Sequence, residues 1–81
     1  MDLERAAMVG QRTEKELSAK GLAIKASGLR DSLRLSLLLT IPVEALDDER
    51  IAAQALDLAQ TVMDLRAVTA EIAVINKHLR A

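Results

Sequence analysis

Apolar residues recur along this chain at steps of three and four, the repeat of a helix that buries one side. In the second half, Ile51, Leu58, Leu65, Ile72 and Leu79 each lie seven apart. Ala55 and Val62 fall between them, followed by Thr69 and Asn76. Together these rows have the 4-3 spacing of a coiled-coil seam. In the first half the best row is Leu22, Ala26, Leu29, Leu33 and Leu37.

Between the two halves stands Pro42, the sole proline. A proline biases the residue before it away from helical backbone, so the first helix is expected to end near Leu39 or Thr40. Asp47 then reads as an N-cap, because its carboxylate can accept from the free amides of the next turn. Asp48 and Glu49 complement the positive end of that helix, and Leu46 and Ile51 have the spacing of a hydrophobic staple. The pattern predicts one domain over residues 1–81, with a helix over about 3–39, a turn over about 40–47 and a helix over about 48–79. A continuous first helix is preferred to one that stops at Gly10 and restarts on a capping box from Thr13 to Glu16. A short connection between long helices makes them antiparallel neighbours. The fold class is therefore all-α, an antiparallel two-helix hairpin with Leu37 opposite Ile51, Leu29 opposite Leu58 and Leu22 opposite Leu65.

Each helix also carries a second apolar row. On the first it is Leu17, Gly21, Ile24, Gly28 and Leu35. On the second it is Leu56, Ala59, Met63, Ala67, Ala70 and Val74. A lone hairpin leaves both in water, more apolar strip than monomers usually expose. These residues form the candidate dimer interface, and the expected assembly is a homodimer forming a four-helix bundle. Another helical protein could cover the same rows.

Composition narrows the chemistry. The chain has 81 residues, 51% of them hydrophobic, with no aromatic residue and no cysteine. Its core must come from Leu, Ile, Val, Met and Ala, and neither a disulfide nor a thiolate zinc site can form. Eleven basic and twelve acidic residues leave a net charge of −1, which gives no electrostatic ground for strong nucleic-acid binding. Arg5, Arg12, Arg30 and Arg34 share one side of the first helix and could meet phosphates. Glu16 interrupts them and no aromatic side chain can stack on a base, so a solvated basic face is the preferred reading. His78 is the single histidine. Asp57, Asp64 and Glu71 form an acidic row on the wet side, without the inward Glu-x-x-His pairs of di-metal bundles. No catalytic, cofactor-binding or metal-ligating residue is assigned, and no enzyme activity or cofactor is expected.

The first residues lack the basic stretch and apolar run of a signal peptide. The most apolar window, Leu33 to Val43, is far short of a bilayer span, so a cytoplasmic location is expected. The leading functional expectation is a non-enzymatic interaction or assembly module: an adaptor, chaperone or structural subunit whose partner is itself and, as a second option, another helical protein. The alternative is a nucleic-acid-binding bundle using the arginine side of helix 1. The third is a secretion-system or filament component.

Overall fold

The first helix starts where Asp2 offers its carboxylate to the Arg5 amide, at 3.1 Å. In the computed structural model, which describes residues 2–80, this helix, α1, spans Leu3–Ser36 and passes through Gly10 without a break. It ends three residues before Leu39. The Leu37 amide turns back to the Arg34 carbonyl, and the Ile41 amide donates to the Leu38 carbonyl at 3.0 Å. A tight turn thus forms ahead of Pro42, where the sequence pattern extends the helix. Leu37 is the C-cap and is exposed, so it lies beyond the helix whose apolar row it appeared to complete.

Pro42 has extended backbone and opens a single 3-10 turn, Val43–Ala45. The second long helix, α2, spans Asp48–Arg80. Its start is fixed by Asp47, whose side chain accepts from the Arg50 amide at 3.2 Å and whose carbonyl accepts from Ile51 at 2.9 Å. Asp48 and Glu49 occupy its first turn, and Lys77, His78 and Arg80 its last. Both ends carry the charge that the helix dipole favours.

The two helices pack antiparallel into a hairpin measuring 64 × 17 × 14 Å. The smallest dimension is little more than one helix diameter, so the molecule is a single layer of helices. Its radius of gyration is 18.3 Å, whereas a compact chain of this length has about 12 Å. Among the described residues only Thr61, Ile75 and Leu79 are buried. Most domains close two layers around a core. This one has a seam between two rods.

Burial marks the seam residue by residue. On α1 it follows Met8, Arg12, Lys15, Ala19, Leu22, Ala26, Leu29, Leu33 and Ser36, an unbroken 4-3 repeat. On α2 it follows Ile51, Gln54, Leu58, Thr61, Leu65, Val68, Ile72, Ile75 and Leu79. The row between the Ile51–Leu79 positions is therefore Gln54, Thr61, Val68 and Ile75, one residue before Ala55, Val62, Thr69 and Asn76. Ala55 is exposed, and Val62 is half-buried on the flank. The shift brings Val68 and Ile75 into the seam in place of Thr69 and Asn76, and the polar pair that enters with them is hydrogen-bonded. Gln54 Nε2 donates to Ser32 Oγ at 2.6 Å, and Ser36 Oγ lies 3.4 Å from Gln54 Oε1 and 3.2 Å from the Ser32 carbonyl. Thr61 donates to the Asp57 carbonyl at 2.7 Å. Each polar group has a partner, so its place in the seam does not leave it unsatisfied.

Candidate functional site

The hairpin's long surfaces divide by chemistry. One flat side is charged, where α2 presents Asp57, Asp64 and Glu71; α1 reaches across to the first and the last, and Asp64 accepts from Gln60 on its own helix at 2.8 Å. Lys25 Nζ lies 3.4 Å from Asp57, and Lys15 Nζ pairs with Glu71. These pairs are exposed and worth at most about 1 kcal/mol each. The opposite flat side holds a shallow groove of about 330 Å³. Ala23, Ala26, Ser27 and Arg30 line it from α1, and Leu58, Val62 and Leu65 from α2. The small alanines leave this space beside the leucines.

The four arginines do not make one free row. Arg5 Nη1 donates to the Leu79 carbonyl at 2.9 Å, tying the start of α1 to the end of α2. Arg12 Nη1 donates to Asn76 Oδ1 at 3.2 Å, and its Nε lies 3.8 Å from Glu16. Arg30 contacts Ser27 and Asp31 on its own helix. Arg34 sits exposed in the last turn of α1. Arg5 and Arg12 thus satisfy acceptors on α2, where Asn76 is half-buried beside the seam. Among the described residues no group of three or more His, Cys, Asp or Glu side chains could hold a metal ion. No described helix is long and apolar enough to cross a membrane.

The outward apolar rows are the most prominent feature. Every member of both is exposed: Leu17, Ile24 and Leu35 on α1 at 66%, 65% and 59%, and Leu56, Met63 and Val74 on α2 at 73%, 61% and 56%. At about 100° per residue, the α1 row lies about 150° around the helix from its seam and the α2 row about 180° from its own. They run along the two outer edges of the hairpin and point away from each other. Gly21 and Gly28 lie in the α1 row, and Gly10 is one heptad before Leu17. None has left-handed backbone. A Cβ on any of them would meet nothing within 4 Å. Within this chain each glycine costs its helix about 1 kcal/mol relative to alanine and returns nothing. A further apolar cluster, Leu37, Leu38, Leu39 and Val43, is exposed at the bend.

No protein-family model matches the chain, and neither a curated protein nor a solved structure matches it.

Proposed function

We propose that this protein is a non-enzymatic assembly module, a helical hairpin that joins a second copy of itself so that four helices pack together. In that form it serves as an adaptor, chaperone or structural subunit. Surface area is the observation that carries this reading. The hairpin exposes 6290 Å², whereas a compact folded chain of 8.8 kDa exposes about 4,800 Å². The excess, about 1,500 Å² per chain, exceeds the roughly 800 Å² per partner of a standard interface and falls in the range of obligate homodimers. The outward rows and the bend over residues 37–43 supply its apolar part. With only two hydrophobic side chains buried among the described residues, the ordering entropy of the chain is poorly offset within one copy.

Light scattering and thermal unfolding over a wide concentration range test this. The expected mass is twice that of one chain, and the unfolding midpoint should rise with concentration because folding and association are linked. A mass of 8.8 kDa with a concentration-independent midpoint would refute self-association.

A further inference from the structure

The outer face of α1 has a heptad order of its own. Leu17, Gly21, Ile24, Gly28 and Leu35 follow one another at steps of four, three, four and seven, and Gly10 precedes Leu17 by seven. That is coiled-coil spacing on the side of α1 turned away from α2. The row holds three large apolar side chains and three glycines, and its heptad steps also include Glu14, between Gly10 and Leu17, and Asp31, between Gly28 and Leu35. Set two such helices antiparallel, with Leu17 of one over Gly28 of the other. Ile24 then falls over Gly21, and Leu35 falls over Gly10. One register seats every large apolar residue of the row on a glycine and overlaps most of both helices. A parallel pair would set leucine on leucine and glycine on glycine.

We propose that α1 is the contact between two copies of this chain, an antiparallel α1–α1 pair about a two-fold axis, with each α2 on the outside. This rests on the self-association reading and specifies its face. The area in excess per chain is enough for such a contact, and an isologous two-fold contact closes on itself. It also explains the glycines, which neither the backbone nor the seam requires. The outward row of α2 also exposes large side chains, Leu56, Met63 and Val74, but its small residues are alanines, the best helix formers, which need no partner to account for them. Because the α1 row lies behind its helix rather than on a flat side, the four helices run in the order α2, α1, α1, α2. They form a bent layer rather than a square bundle. The register has a cost that the two-fold axis applies twice: Glu14 of each copy falls over Asp31 of the other, within the row itself.

Dissociation constants of full-length variants, measured by sedimentation, test the face. Ile24→Glu should weaken the dimer at least about 100-fold by placing a carboxylate in an apolar contact, while Met63→Glu should leave it within about threefold. Gly28→Leu should weaken it about tenfold or more by overpacking, although leucine strengthens the helix itself. This variant reads the contact even if Ile24→Glu unfolds the chain. Glu14→Lys should tighten the dimer, since it sets a cation against Asp31. A dimer broken by Met63→Glu and untouched by Ile24→Glu would overturn the α1 contact while leaving self-association intact, as would unchanged or tighter binding of Gly28→Leu. Weaker binding of Glu14→Lys would overturn the antiparallel register. A wild-type chain that stays monomeric would overturn self-association, and the α1 face with it.

Discussion

Thr61 is the most deeply buried side chain described, at 2% exposed, and it is polar in a seam of Leu, Ile and Val. Its hydroxyl donates to the Asp57 carbonyl 2.7 Å away, which already accepts the Thr61 amide in the helix. The hydroxyl therefore gains only a second bond to a satisfied acceptor, and such back-bonding slightly disfavours a helix. Thr61→Val exchanges that hydroxyl for a methyl group of similar size and orphans no carbonyl. The new methyl buries about 30 Å² of apolar surface, worth about 0.8 kcal/mol, and removes the residual cost of a desolvated hydroxyl. The expected gain is about 1 kcal/mol, or a midpoint about 4–8 °C higher at fixed protein concentration. Thr61→Ser makes the opposite change, keeping the hydroxyl and deleting a buried methyl, and should cost about 1 kcal/mol. Denaturant unfolding of the three proteins at one concentration should rank them valine, threonine, serine. A valine variant less stable than wild type would refute the reasoning, because it would mean that the hydroxyl holds something other than its own helix.

Two further changes examine local devices. Asp47→Ala removes the acceptor of the Arg50 amide and should cost about 1 kcal/mol; an unmoved midpoint would place the start of α2 elsewhere. Gln54→Ala breaks the bond to Ser32 and should cost about 1 kcal/mol while loosening protection of the α1 end from hydrogen exchange; unchanged exchange there would mean the polar clamp does not hold the helices in register.

How much of this was legible in the sequence depended on the distance over which each signal acts. The start of α2 could be read because Asp47, Asp48 and Glu49 act within one turn. The end of α1 was harder: Pro42 limits the helix but does not choose where it stops, and turn bonds from Leu37 and Ile41 end it at Ser36. The α2 seam was hardest, because apolarity favours Ala55 and Val62 over Gln54 and Thr61 in the first half of the helix but Val68 and Ile75 over Thr69 and Asn76 in the second. The observed row takes in Val68 and Ile75 in place of Thr69 and Asn76, and Gln54 is accommodated in it by Ser32 and Ser36, some twenty residues away in sequence. That one-residue difference has a geometric consequence. It rotates α2 by about 50°, moving its outer row from about 130° to about 180° from the seam. At the smaller angle two hairpins could stack flat and share a core; at the larger, their apolar rows lie on opposite edges and one neighbour cannot cover both. The residues that take the seam positions, Val68 and Ile75 together with the hydrogen-bonded Gln54, thus decide which surface the apolar residues outside it present.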